Sequence, residues 1–186
     1  MARILIAYAT GHGQTGLVVQ RLAAVLSRHG HAPVLADLLH GPLPKVEEFD
    51  GALVAAPVHF GKHHKAVLAF CAASREALTG RPSAFISVSL SANRPTVGAR
   101  REVAKSVAHL LKATAWVPLQ ICPVAGALLY TKYGPFLRRV MRFFAKMAGR
   151  DTDTTRDYEY TDWAAVEAFA REFGARLPAT AQPSAA

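Results

Sequence analysis

Six consecutive residues near the amino terminus carry the clearest chemical signal in the chain: Thr10-Gly11-His12-Gly13-Gln14-Thr15. Two glycines let the backbone turn tightly and bring its N–H groups close to an anion. Thr10 and Thr15 offer hydroxyl donors and Gln14 an amide, and the helical pattern that follows places a positive dipole end at the same point. No Gly-Lys-Ser/Thr string follows, so the loop is not that of a nucleoside triphosphatase. Gly11, Gly13 and Gly16 also miss the Gly-x-Gly-x-x-Gly spacing of dinucleotide sites. A monophosphate is the better guest; the competing reading is a well-capped polar turn without a ligand.

Two further loops could complete a site. Pro57-Val58-His59-Phe60-Gly61-Lys62 presents an aromatic ring, an imidazole and a glycine against which a planar heterocycle could lie. Ser89-Leu90-Ser91-Ala92-Asn93 is small and polar and could cover the far edge of the same ring. His59, His63 and His64 have no matching carboxylate or thiolate pair, so no metal is expected. No Ser/His/Asp set or paired carboxylate stands out, and no catalytic acid or base is assigned. His59 is the one candidate worth testing, against a structural role.

The elements that must position these loops alternate from the start. Arg3 to Tyr8 is a short apolar run, as in a strand covered on both faces, and Leu17, Val18, Leu22, Val25 and Leu26 then recur at helical spacing up to Gly30. Further strands are expected at Pro33–Leu38, Asp50–Val58, Ser83–Ser89 and Val117–Ala127. Helices are expected at Lys62–Leu78, Val103–Ala113 and Trp163–Leu177. Strands alternating with helices imply an α/β fold with a parallel, doubly wound sheet. Ligands of such sheets sit beyond the carboxyl ends of the strands, where the strand order reverses.

Length and composition set the outer bounds. A chain of 186 residues, 51% hydrophobic and 19% charged, fits one domain, residues 1–177, with a small Pro-containing tail at 178–186. Such a composition excludes a disordered or fibrous chain. Cys71 and Cys122 are too few for a disulfide framework or a zinc site and read as buried thiols of a reducing compartment. The sequence opening Met-Ala-Arg-Ile-Leu-Ile-Ala lacks a signal-peptide layout. Ala115 to Tyr130 is the longest apolar stretch, and Pro118, Gln120 and Pro123 interrupt it, short of the ~20 residues of a spanning helix. The expectation is a soluble cytoplasmic protein or one lying on a surface. Lys plus Arg number 22 against 13 Asp plus Glu, a net charge of +9 that favours anionic partners.

Thr10-Gly-His-Gly-Gln-Thr15 following Arg3-Ile-Leu-Ile-Ala-Tyr8 resembles the FMN-phosphate loop of flavodoxin-like proteins. More narrowly, the chain is similar to the bacterial menaquinone-dependent protoporphyrinogen dehydrogenases. That likeness runs from about residue 2 to 177 and rests on Pro82-Ser-Ala-Phe-Ile-Ser-Val-Ser89, Ala125-Gly-Ala-Leu-Leu-Tyr130, Thr152-Asp-Thr154 and Tyr160-Thr-Asp-Trp163. The resemblance implies non-covalent FMN and a five-stranded sheet of order 2-1-3-4-5. It also implies oxidation of protoporphyrinogen IX to protoporphyrin IX in haem biosynthesis, with menaquinone as acceptor. The cofactor-binding residues expected on this basis are Thr10, Gly11, His12, Gly13, Gln14, Thr15, Pro57, Val58, His59, Phe60, Gly61, Ser87, Val88, Ser89 and Leu90. His12 stands where the family often has an acidic residue, and Ser89 where an Asn is expected.

Before the last helix lies an insert, about residues 128–160, that a minimal flavodoxin does not need. No Asp or Glu occurs from Val103 to Arg150. A helix is expected from Pro135 to Gly149. At ~100° per residue, Arg138, Arg139, Arg142 and Lys146 share one arc, and Phe136, Leu137, Val140, Met141, Phe143, Phe144 and Met147 lie opposite. Such a helix either covers the sheet with its arginines solvated or lies in an anionic membrane surface, placing the protein peripherally on the inner face of the cell membrane. Arg94, Arg100 and Arg101 follow the third loop, where the resemblance suggests a role with the substrate's propionates. Two alternatives stand beside the dehydrogenase. One is an NAD(P)H:quinone oxidoreductase of flavodoxin fold; the other is a flavodoxin-type electron carrier, although such carriers are typically acidic. No nucleic-acid reading motif accompanies the basic charge, so nucleic acid is not an expected partner.

Overall fold

The computed structural model describes residues 1–177; the expected tail at 178–186 lies outside the described residues. The elements in chain order are β1 (Arg3–Tyr8), α1 (Gln14–Arg28), β2 (Ala32–Asp37), β3 (Gly51–His59), β4 (Lys62–His63), α2 (Lys65–Ala73), α3 (Arg75–Thr79), β5 (Ser83–Ser89), α4 (Val97–Thr114), β6 (Gln120–Ala125), β7 (Ala127–Leu128), α5 (Pro135–Met147), β8 (Tyr158–Glu159) and α6 (Trp163–Ala175). Five strands form a parallel sheet of order β2-β1-β3-β5-β6, with β4 added antiparallel to the end of β3. Apart from the number that β4 takes, this is the expected 2-1-3-4-5 order.

Alternate residues of the central strands feed two separate cores, because successive side chains of a strand point to opposite faces. Ile4, Ile6, Leu53, Ala84 and Ile86 meet α1 and α6 through Val18, Leu22, Val25, Val166 and Phe173. Leu5, Ala7, Val54 and Phe85 meet α2 and α4 through Val67, Phe70, Val107 and Leu110, with Trp116 beside them. Fully buried Ile4, Leu5 and Ile6 each contribute about 1.5–3 kcal/mol of transfer free energy, which is why the β1 run is apolar on both faces.

Three boundaries depart from expectation. The helix expected over Lys62–Leu78 is interrupted. Phe60 and Gly61 turn the chain back at φ 50° and 75°, so Lys62 and His63 pair with His59 and Val58 before α2 starts. His64 then caps α2, its Nδ1 accepting from the Ala66 N–H at 3.2 Å, and the helix breaks at Ser74. Helix α4 starts at Val97 rather than Val103, because Thr96 caps it by accepting from the Ala99 N–H at 3.2 Å. The strand expected over Val117–Ala127 spans only Gln120–Ala125, and Gly126 redirects the chain into β7.

The 128–160 insert folds as a small unit of its own. Strands β7 and β8 pair as an antiparallel ribbon, and Leu128, Tyr130, Tyr133 and Ala145 form its centre, with Leu137, Met141 and Tyr158 packed around them. The strings that carried the family resemblance are its hinge. Tyr160 N–H donates to the Gly126 carbonyl at 3.2 Å, and Thr161 Oγ1 donates to that of Ala125 at 2.8 Å. Asp162 caps α6 by accepting from the Ala165 N–H at 3.0 Å. Among the described residues, no helix is long and apolar enough to cross a membrane.

Candidate functional site

Adjacent strands β1, β3 and β5 end on one edge of the sheet, so the three loops singled out in the sequence converge there. In the first loop, Thr10 Oγ1 accepts from the Gly13 N–H at 3.0 Å and folds the turn. Gly13 sits at φ 101° as the residue preceding α1, a conformation that favours glycine. The leading N–H groups of an α-helix have no partners within it, and the first turn of α1 contains no acidic residue. This end of α1 is therefore a place for an anion. The Gln14 side chain, expected to face that anion, is engaged elsewhere: Nε2 donates to Glu159 Oε1 at 2.7 Å and to Thr161 Oγ1 at 2.8 Å. Thr15 is buried.

The second loop is a two-residue hairpin with positive φ at both Phe60 and Gly61, as a type I′ turn requires. For a bulky residue such as Phe60 that conformation is strained. The Phe60 ring is 79% exposed and stands edge to face with Phe144 of α5, 6.3 Å between centroids. Below it the His59 and His12 rings meet at 5.9 Å, and His12 meets Tyr133 of the insert at 4.9 Å. Gly11 lies against this pair, where a Cβ would be in ordinary contact with His59 Nε2 at 3.5 Å. Desolvation first, then His12 and His64, holds the His59 pKa below the ordinary imidazole value. Pro57 and Val58 are half-buried at the end of β3.

The third loop contributes a buried hydroxyl without a partner, Ser89 Oγ at the end of β5. Arg150 Nη2 donates to the Leu90 carbonyl at 3.0 Å while its guanidinium lies 4.3 Å above the Tyr160 ring, fastening the insert to this loop. Ser87 and Val88, expected among the cofactor residues, are placed differently. Ser87 Oγ is fully buried against His63 Nε2 at 3.0 Å, and Val88 packs in the core next to Gly126.

The insert adds residues to the site that the sequence pattern does not reveal. The helical turn Tyr130–Lys132 lies across the first loop, so that a Cβ on Gly13 would sit 3.7 Å from Lys132 Nζ. Tyr133, buried by the same turn, supplies the ring against His12. The string Tyr130-Thr-Lys-Tyr133 was in plain view, but only its fold back over residues 10–13 gives it meaning. The amphipathic helix is also more divided than its periodicity suggests. Leu137, Met141 and Ala145 face inward, while Phe136, Phe143, Phe144 and Met147 are exposed. Of the four expected surface cations, Arg138 is turned in, its Nε and Nη2 donating to the Tyr130 and Tyr133 carbonyls at 2.9 and 3.2 Å. Arg139, Arg142 and Lys146 remain exposed.

The FMN implied by the resemblance fits these residues. The glycine turn and helix start suit its phosphate, and the unpartnered Ser89 hydroxyl suits a polar atom of its ring. Beyond the third loop, an apolar groove of about 470 Å³ runs between α4 and β6, with Ser91 and Arg100 among its lining. Burial pushes the thiol of Cys71 up to about 12 and that of Cys122 to about 11, so neither is an available nucleophile.

Known proteins resemble this chain in sequence and in fold. Residues 5–155 match the flavodoxin domain family. Over 171 residues the chain is 33% identical to protoporphyrinogen IX dehydrogenase (quinone) of Escherichia coli K12, covering 91% of this chain and 93% of that protein. The Leishmania major protein of the same name is 30% identical over 189 residues, covering 97% of this chain and 78% of the relative. Among solved structures, oxidised flavodoxin 1 from Bacillus cereus superposes with a TM-score of 0.57 at 15% identity, covering 95% of this chain and 99% of that one, a likeness of fold.

Proposed function

The chain belongs to the flavodoxin domain family and, within it, to the protoporphyrinogen IX dehydrogenases (quinone), and on that premise we propose that it binds FMN non-covalently and oxidises protoporphyrinogen IX with a quinone, menaquinone, as acceptor. The observation that carries this reading is the acid-free turn Thr10–Gly13 at the start of α1, on the same edge of the sheet as the unpartnered Ser89 hydroxyl at the end of β5. FMN, when bound, supplies an electron-pair acceptor that a quinone can reoxidise. The protein supplies placement. The N–H groups at the start of α1 hold the phosphate, and His12, His59 and Tyr133 wall one side of the ring site. Ser89 offers its hydroxyl to the ring. Arg94, Arg100 and Arg101 make no ion pair among the described residues and are available to the substrate's propionates.

The same reading extends to location. Phe136 at 83%, Phe143 at 60% and Met147 at 71% exposure share α5 with its exposed cations and with Phe144, whose ring meets both Phe143 and Phe60. Full burial of each such apolar side chain is worth about 1.5–3 kcal/mol, the upper bound for insertion at an interface, and each cation near an anionic leaflet adds about 1 kcal/mol. A face of this composition supports peripheral attachment to the inner side of the cell membrane. Both substrates are hydrophobic enough to be met there.

Anaerobic turnover tests the function. FMN-loaded protein, protoporphyrinogen IX and a soluble menaquinone analogue should yield fluorescent protoporphyrin IX only when all three are present. Absence of porphyrin, with NADH or NADPH consumed instead, would move the protein to the NAD(P)H:quinone oxidoreductases.

A further inference from the structure

We propose that Lys132 is the cation that neutralises the FMN phosphate, which makes the insert part of the cofactor site rather than an appendage to it; this rests on the FMN reading above. The position is specific. The turn Tyr130–Lys132 crosses the loop, and Lys132 Nζ stands 3.7 Å from where a Cβ on Gly13 would be, at the residue that opens α1. Three other cations of the insert are already engaged: Arg138 with the Tyr130 and Tyr133 carbonyls, Arg150 with the Leu90 carbonyl and Tyr160, Arg156 with Asp153 and Tyr158. The Lys132 ammonium makes no ion pair or hydrogen bond among the described residues; only the backbone N–H of Lys132 is engaged, donating to the Leu129 carbonyl at 3.0 Å. Its exposed ammonium is therefore free to pair with an anion bound in the turn.

The surroundings hold the lysine there. Thr131, one residue before, is pinned through its N–H to Asp157 Oδ1 at 2.9 Å and through Oγ1 to Asp157 Oδ2 at 2.8 Å. The hydroxyl of Tyr133, one residue after, accepts from the Leu129 N–H at 3.2 Å. A flexible four-carbon stem then needs only to swing its tip, and a single charge-assisted contact strengthens phosphate binding selectively. A ligand with the same ring and no phosphate gains nothing from it.

The test compares FMN with riboflavin on the full chain, by calorimetric titration and by quenching of flavin fluorescence. Lys132→Met should weaken FMN about tenfold or more and leave riboflavin unchanged, while Lys132→Arg should restore most of the FMN affinity. Salt should weaken FMN binding to the native protein more than to Lys132→Met. Thermal melts of the ligand-free proteins should coincide, since the side chain is exposed and unpaired. An unchanged FMN-to-riboflavin ratio in Lys132→Met would overturn the proposal while leaving the FMN reading standing. Failure of the native protein to bind either flavin would remove both.

Discussion

Gln14 Nε2 donates to Glu159 Oε1 across 2.7 Å, joining the first residue of α1 to the last strand of the insert, 145 positions away in sequence. The same nitrogen reaches Thr161 Oγ1 at 2.8 Å, and Thr161 itself holds the Ala125 carbonyl. One side chain thereby ties the phosphate turn to the hinge on which the insert hangs.

Gln14→Leu removes both contacts, one of them to the Glu159 carboxylate. A loss of about 1–3 kcal/mol is expected in urea unfolding. Limited proteolysis should show earlier cleavage within α5, where Arg139, Arg142 and Lys146 are exposed. Identical cleavage rates in variant and native protein would mean that the insert is held by its other contacts alone.

Gly51 opens β3 where the end of the last helix crosses it. A Cβ there would collide with the Leu177 side chain and come within 3.2 Å of the Pro82 carbonyl oxygen. Leu177 can shift but the backbone oxygen cannot, so Gly51→Ala should destabilise the fold by about 1–3 kcal/mol. An unchanged urea midpoint would show that the chain relaxes without loss.

His63 predicts how stability depends on pH. Burial pushes its pKa down to about 4, aided by His109, so the folded protein keeps it neutral while the unfolded chain protonates it near its ordinary value. Between that value and about 4 the unfolded state binds the extra proton. Stability contributed by this site is therefore full above pH 6.5, falls as pH drops, and is lost by about pH 4. The loss is on the order of 3 kcal/mol. Melting temperatures of His63→Gln, compared with native protein between pH 7 and 4, should show a shallower decline. Parallel curves would assign the acid sensitivity elsewhere.

Much of this architecture is legible before any coordinates, because burial on both faces writes continuous apolar runs into β1, β3 and β5 and a 3.6-residue period into α1 and α6. The turn Thr10–Thr15 is legible for a similar reason, as the glycines and hydroxyls it needs are contiguous. What escapes is tertiary. Gln14 reads as a phosphate donor until its partner arrives from Glu159, and Ser87 reads as a loop neighbour until His63 folds over it. Lys132 and Tyr133 reach the site only because Gly126 and Thr161 bring the insert back. In α5 the period reports two faces. The structure has three, since a small tyrosine-lined cluster claims Leu137, Met141 and Ala145 and leaves the phenylalanines outside.

Those outward phenylalanines give the membrane prediction. Phe136, Phe143 and Met147 changed together to Ser should reduce sedimentation with anionic vesicles by tenfold or more. Arg139→Glu with Arg142→Glu should do so most strongly at low salt. Arg138 is left alone because it holds the Tyr130 turn together. Equal binding of all three proteins to the vesicles would refute attachment through this helix.

Electron transfer from porphyrinogen to the flavin, watched without any acceptor present, bears on the central claim most directly. In a sealed, oxygen-free cuvette, protoporphyrinogen IX should bleach the visible absorption of the FMN-loaded protein, and a menaquinone analogue added afterwards should bring it back. A flavin that stays oxidised beside porphyrinogen, yet is bleached at once by NADH, would contradict the account.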